Sequence, residues 1–281
     1  MKNPFLIDDP AYISFSGGRT SGYMLWRILD AFDGKLPDDV HVFFANTGLE
    51  MPATLDFVQK VSVFFGVPIT WVQYALTEDD RPTYEVVDYD TAARNGEPFA
   101  MYLDHVERIA RAKGKEPYLP APGNRYCTTE LKIRAMKKQM LSLGYEYWTN
   151  VVGLRFDEER RWKKIDRTCP KERWEIDLPL VDAKITVEHV RKFWSAQKFD
   201  LEIKGDWEGN CDACHLKMPW KVATLFRDYP ERAEWWLERE RRAGKQFRPN
   251  GLSIAQLVEA SKLPIVRGDD SDEIKCTGCT D

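Results

Sequence analysis

Ser16-Gly17-Gly18-Arg19-Thr20-Ser21 is the stretch of this chain best equipped for chemistry. Two adjacent glycines let a backbone turn tightly and come close to an anion. Ser16, Thr20 and Ser21 add hydroxyl donors, and Arg19 adds a fixed positive charge. The apolar run at 12–15 precedes the stretch, and the amphipathic run at 23–29 follows it. Strand, glycine turn and helix in that order aim unpaired N–H groups, and the positive end of a helix dipole, at the loop. The product is a cradle for phosphate or sulfate. The spacing is not that of a Walker A loop, which needs a longer spacer and a closing Gly-Lys-Ser/Thr. Taken alone, the stretch also fits an ordinary strand-to-helix turn.

Two further polar groups fall at the ends of apolar runs. Asn46-Thr47-Gly48-Leu49-Glu50 follows the run at 41–45, and Gly153-Leu154-Arg155-Phe156-Asp157-Glu158 follows the run at 148–152. An Asn side chain and backbone groups suit an adenine or ribose edge. Arg155 can pair bidentately with a phosphate, and Glu158 can orient that arginine or meet a metal-bound phosphate.

Cysteine is the third source of chemistry. Cys211 and Cys214 form one C-x-x-C pair, and Cys276 and Cys279 form another, more than sixty residues further on. Such a turn presents two sulfurs on one side, which suits a metal or a redox disulfide. The separation exceeds that of a compact zinc ribbon, whereas an iron–sulfur cluster accepts distant ligands. Cys127 precedes a helix, and His215 adjoins the first pair. Cys169, in a basic loop, is assigned no role.

The elements that must position these groups alternate in the first half. Strands are predicted at 12–15, 41–45 and 69–74, and helices at 21–32 and Pro52–Phe65, with Pro52 opening and Gly66 closing the second helix. This series implies an α/β fold, a parallel sheet with helices on both faces. Ligands of such sheets bind at the carboxyl ends of the strands. Residues 77–125 form an irregular, proline-rich excursion with a helix at 101–112. A helix at 128–143 and a strand at 148–154 follow, then a short extended stretch at 178–181 and helices at 186–197, 219–243 and 253–260. The division is a nucleotide-binding domain over 1–175 and a helical, cysteine-bearing region over 176–281. Trp235-Trp236 is read as core packing.

The 281 residues are 43% hydrophobic and 31% charged, as in an ordinary water-soluble protein. No apolar run reaches membrane-spanning length and no secretion signal opens the chain, so the expected compartment is the cytoplasm. There, six cysteines point to metal or redox use rather than structural disulfides. A net charge of −4 excludes a wholly basic nucleic-acid coat. Lys and Arg nonetheless crowd the segment 125–173, which reads either as a surface for an anionic substrate or nucleic acid, or as a solvated helix face. Nothing in the sequence speaks to oligomeric state.

Four motifs in this order resemble a known family. The stretch 16–21 is similar to the PP-loop of the adenine nucleotide α-hydrolase-like superfamily. Asn46-Thr47-Gly48-Leu49-Glu50, the Gly-x-Arg-x-x-Glu of 153–158, and Cys127-Thr128-Thr129-Glu130-Leu131-Lys132 resemble motifs of the phosphoadenosine phosphosulfate (PAPS) reductase family. Together they span about residues 10–220. The resemblance implies an adenine nucleotide (ATP, adenylylsulfate or PAPS) and a 4Fe-4S cluster held by Cys127, Cys211, Cys214 and either Cys276 or Cys279. It also implies sulfonucleotide reduction, with Cys276 or Cys279 as nucleophile and a thiol electron donor. Two features depart from the pattern: Tyr126 stands before Cys127 in place of a second cysteine, and the tail reads Lys-Cys-Thr-Gly-Cys. The superfamily's ATP-using relatives imply the alternative of Mg²⁺-assisted adenylation and thiolation of a nucleic acid. A zinc-stapled, non-catalytic nucleotide-binding subunit is the third reading.

Overall fold

The computed structural model describes residues 3–268. Six strands, β1 (Ala11–Ser14), β2 (Val40–Asn46), β3 (Thr70–Leu76), β4 (Pro82–Val87), β5 (Trp148–Val152) and β6 (Trp174–Asp177), form a sheet in the order β4-β3-β2-β1-β5-β6. Every neighbouring pair is parallel except β3 with β4. The helices are α1 (Arg19–Ala31), α2 (Pro52–Phe65), α3 (Glu97–Ala112), α4 (Arg134–Ser142), α5 (Glu159–Trp162), α6 (Pro179–Asp182), α7 (Val187–Ser195), α8 (Pro219–Asp228), α9 (Ala233–Ala243) and α10 (Ile254–Ser261). The chain is an α/β protein with a helical C-terminal region. Among the described residues no helix is long and apolar enough to cross a membrane.

The sheet is covered on both faces, which is why its inner strands read as continuous apolar runs. Ala11 and Ile13 of β1 face a core shared with α1, α2 and α7. Tyr12 and Phe43 face the opposite core, with Met136 and Met140 of α4 and the stacked Trp148 and Trp174. A third core joins Tyr74 of β3 and Phe99 of α3 to α8, α9 and α10. Trp236 is buried in it, and Trp235 packs against Phe99, as expected for core residues.

Several elements differ from the sequence expectation. β4 lies in the excursion at 77–125 as an antiparallel edge strand, largely exposed and opened by Pro82, so it lacks an apolar signature. β6 is only four residues long and polar at alternate positions. Residues 178–181, expected extended, turn into α6, because Pro179 stands in a first-turn position where its missing N–H costs nothing. The helix at 128–143 begins with a π-helical turn, Thr128–Ile133. The run at 219–243 breaks at Tyr229, since Pro230 cannot continue the α8 ladder and starts a short 3₁₀ turn instead.

Sheet order fixes where a ligand can enter. From β1 the chain proceeds outward through β2 and β3 on one side, and through β5 and β6 on the other. The carboxyl ends of β1 and β5 therefore flank a topological switch point, where the outgoing loops diverge and leave a crevice. The loop 15–18 and the segment 153–158 are the two outgoing loops.

Candidate anion-binding site

The loop after β1 has the form its sequence requires. Gly17 has φ of 79°, the left-handed region, and Gly18 is the extended N-cap of α1. A Cβ on Gly17 would stand 2.7 Å from Thr54 Cγ2, so the backbone passes directly over the start of α2. The loop is closed by its own serines. Ser16 N–H donates to Ser21 Oγ at 3.2 Å, the two hydroxyls lie 3.0 Å apart, and Ser21 Oγ donates to the Gly18 carbonyl at 2.9 Å. No side chain caps α1 and no acidic residue stands in its first turn. Its first amides therefore keep the partial positive charge that draws an anion.

Arg155 comes to this loop from the far side of the switch point. Its Nη1 donates to Thr20 Oγ1 at 2.9 Å and its Nε to Asp157 Oδ1 at 3.1 Å. Glu158 accepts the Arg155 backbone N–H at 2.9 Å and pairs closely with Arg161. Glu158 thus holds the turn that aims Arg155. Arg155 is 7% exposed, largely desolvated and yet part of the cavity lining.

That cavity measures about 640 Å³. Ser16 to Thr20, Thr54 and Arg155 form one wall. Thr54 is buried and its hydroxyl oxygen has no hydrogen-bond partner, an orphaned polar atom beside the loop. The opposite wall comes from α7 and residues 200–210, none of which the sequence singled out as functional. Arg19, expected to offer free charge to the cradle, instead forks onto Asp200 of that wall at 2.7 and 2.9 Å.

The motif after β2 goes elsewhere. Asn46 is fully buried: its amide donates to Gln73 Oε1 and to the Ala93 carbonyl, and its oxygen accepts Gly48 N–H. It shapes the strand-end turn and has no edge left for a base. Gly48, at φ 79°, lies against the Gly96 backbone. Glu50 accepts from Thr47 N–H and Oγ1 and faces Lys132 at 3.8 Å. None of these residues lines the cavity.

Cys211 packs into this buried cluster. It bridges Glu50 through the backbone, and its sulfur lies 3.3 Å from Thr47 Oγ1 and 4.0 Å from Glu50 Oε1. Burial pushes its thiol well above the usual range, against the opposing pull of Lys132. Cys214 closes the C-x-x-C turn, its N–H donating to the Cys211 carbonyl. Cys127 packs against the third core at the start of the π turn. Burial and the nearby Arg248 and Arg125 lower His215 to about 4, and its buried Nε2 has no partner. Among the described residues no three His, Cys, Asp or Glu side chains gather to hold a metal. Cys276 and Cys279, the expected further ligands, lie outside the described residues. Cys169 donates to the Asp166 carbonyl in its loop.

Part of the basic segment is spent on internal pairs. Arg134 meets Glu130, Lys137 meets Glu172 and Arg167 meets Asp182, at 2.7–2.8 Å. Lys163 pairs with Glu159 and Arg161 with Glu158. These carboxylates neutralise five of the thirteen Lys and Arg side chains in the segment.

No family model matches the chain. Among solved structures, the U34-tRNA thiolase NcsA from Methanococcus maripaludis with its [4Fe-4S] cluster aligns over 98% of this chain and 82% of its own, at 12% identity and a TM-score of 0.36. That likeness is too distant to assign a residue or a reaction. The uncharacterized nin region protein ORF290 of Escherichia phage lambda is 32% identical over 222 residues, which are 77% of this chain and 69% of that protein. At that identity and coverage, the chain belongs to the family of the phage lambda nin region protein ORF290.

Proposed function

We propose that this protein is an adenine-nucleotide-dependent enzyme of the PP-loop type, seating the anhydride end of the nucleotide between the loop after β1 and Arg155. One observation carries this reading: Arg155 reaches Thr20 across the β1–β5 switch point, so uncapped helix amides and a desolvated guanidinium converge on one cavity. Both groups would stabilise charge that develops on the leaving pyrophosphate or nucleoside phosphate when the neighbouring phosphorus or sulfur is attacked. The resemblance of the sequence motifs to the adenine nucleotide α-hydrolase-like superfamily and its PAPS reductase family supports adenine as the base.

Two reactions use such a seat. In the first, ATP with Mg²⁺ adenylates an acceptor oxygen, a nucleic-acid oxygen in the family's ATP-using relatives, and pyrophosphate leaves. In the second, a thiolate attacks the sulfur of a sulfonucleotide and the nucleoside phosphate leaves; a donor thiol then attacks the resulting S-sulfocysteine, releasing sulfite and leaving a disulfide. Among the described residues no cysteine lines the cavity. The second rests on Cys276 or Cys279 of the tail.

Calorimetric titration with ATP, adenylylsulfate and PAPS tests the seat. At least one should bind at one equivalent, and Arg155→Ala should weaken it about ten- to hundredfold, the value of a charged hydrogen bond. If none of the three binds, the reading is wrong. Pyrophosphate released from ATP in the presence of RNA or DNA identifies the first reaction, sulfite released from a sulfonucleotide the second. Binding without either turnover leaves a nucleotide-binding subunit.

A further inference from the structure

The cavity wall opposite the loop is a strap, residues 200–206, and both of its ends are fastened ionically. At one end Arg19 Nε and Nη2 grip the two carboxylate oxygens of Asp200 at 2.7 and 2.9 Å, and Nη2 also donates to the Leu201 carbonyl at 2.6 Å. Asp200 Oδ1 accepts Leu201 N–H at 2.7 Å, so the carboxylate folds its own strap around the guanidinium. At the other end the buried Lys221 donates to Asp206 Oδ2 at 2.6 Å. The Arg19 carbonyl also accepts Trp194 Nε1–H of α7 at 2.8 Å. A Cβ on Gly22, one turn on, would lie 2.6 Å from the same indole. The first turn of α1 therefore holds the opposite wall with its side chain and its backbone at once.

We propose that Arg19 is a positioning residue rather than a phosphate ligand: it latches the strap 200–206 over the anion seat, and Asp200 is its partner in that task. The inference deepens the nucleotide reading and rests on it for its effect on affinity. The carboxylate and the carbonyl engage three of the five guanidinium N–H donors, the one on Nε and both on Nη2, so only the Nη1 edge is left to face a phosphate. What it supplies is the wall that keeps the ligand's anhydride end out of bulk water, where its electrostatic contacts would weaken.

The two roles predict opposite signs for Asp200→Asn. If Arg19 touched phosphate, removing the carboxylate beside it would free the guanidinium and remove a repulsive charge, and nucleotide would bind more tightly. If Arg19 is a latch, the same change loosens the strap, and binding weakens by about fivefold, the scale of a half-exposed ion pair. Arg19→Ala should weaken binding similarly, and the exchanged pair Arg19→Asp with Asp200→Arg should recover most of the loss.

Amide hydrogen exchange of the ligand-free protein gives a readout independent of any nucleotide. Exchange at Leu201–Asp206 should quicken in both single variants and slow again in the exchanged pair. Unchanged exchange in the single variants overturns the latch even if no nucleotide binds wild type, the outcome that would sink only the functional reading. Tighter binding by Asp200→Asn, or faster strap exchange with unchanged affinity, overturns the positioning role.

Discussion

Gly17 gives the clearest consequence of a single residue. Its φ of 79° is costly for any side chain, and a Cβ there would also press on Thr54 Cγ2 at 2.7 Å. Gly17→Ala should destabilise the fold by about 1–3 kcal/mol, the cost of holding a non-glycine residue in the left-handed region. It should also weaken nucleotide binding, because the loop amides move. Thermal denaturation and titration measure the two effects. Adding Thr54→Ala should recover the clash but not the backbone strain, so only part of the stability returns; full recovery would mean that the strain is absent. The conformation of Gly17 and the strand-end placement of Arg155 and Glu158 were legible in the sequence, because glycine conformation and strand-end position are local properties. The partners of Arg19 and Asn46 within the fold were not. The same side chains that suit a ligand also suit a partner within the fold, and Asp200 and Gln73 are too far along the chain for spacing to reveal.

At the level of elements, legibility followed burial. β1, β2, β3 and β5 were visible as apolar runs because both of their faces are covered. β4 and β6 were not, because an edge strand can be polar and short. Of the C-terminal helices, α7 and α10 were visible one by one and α8 and α9 only as a single run over 219–243, but what joins them was not. Glu240 of α9 accepts Phe247 N–H and Ile254 N–H, each at 3.0 Å, and so ties α9 to the start of α10. Glu240→Ala leaves both amides without an acceptor and should cost about 1–3 kcal/mol for each that stays buried. Burial raises the Glu240 carboxyl above its usual 4.5, so its folded form binds a proton more readily than its unfolded form. The stability it contributes is therefore full below the unfolded value and declines as pH rises through the raised one. Urea midpoints at pH 4 and pH 7 should show the gap between wild type and Glu240→Ala narrowing as pH rises; a widening gap would mean that the two amide donors outweigh burial.

Across the whole molecule, the sheet supplies the seat and the region after β6 supplies the wall that faces it. Neither half completes the cavity, which is why reading the motifs of the first half alone left half of the site unseen. The cysteines follow the same division. Cys211 is drawn into a buried cluster with Thr47, Glu50 and Lys132, Cys127 packs against the third core, and no three donors converge among the described residues. A metal held by Cys127, Cys211 and Cys214 is predicted to take its further sulfur from the tail. Protein prepared without oxygen and carrying Cys276→Ser and Cys279→Ser together should contain less than stoichiometric iron and zinc, with no absorbance near 400 nm. Nucleotide binding should be unaltered, since the loop after β1, Arg155 and the strap that line the cavity all lie outside the tail. Stoichiometric metal in that variant would mean that Cys127, Cys211 and Cys214 assemble a site by breaking the Thr47–Cys211 contact. Loss of nucleotide binding instead would mean that the tail belongs to the cavity, and that the seat needs a third wall.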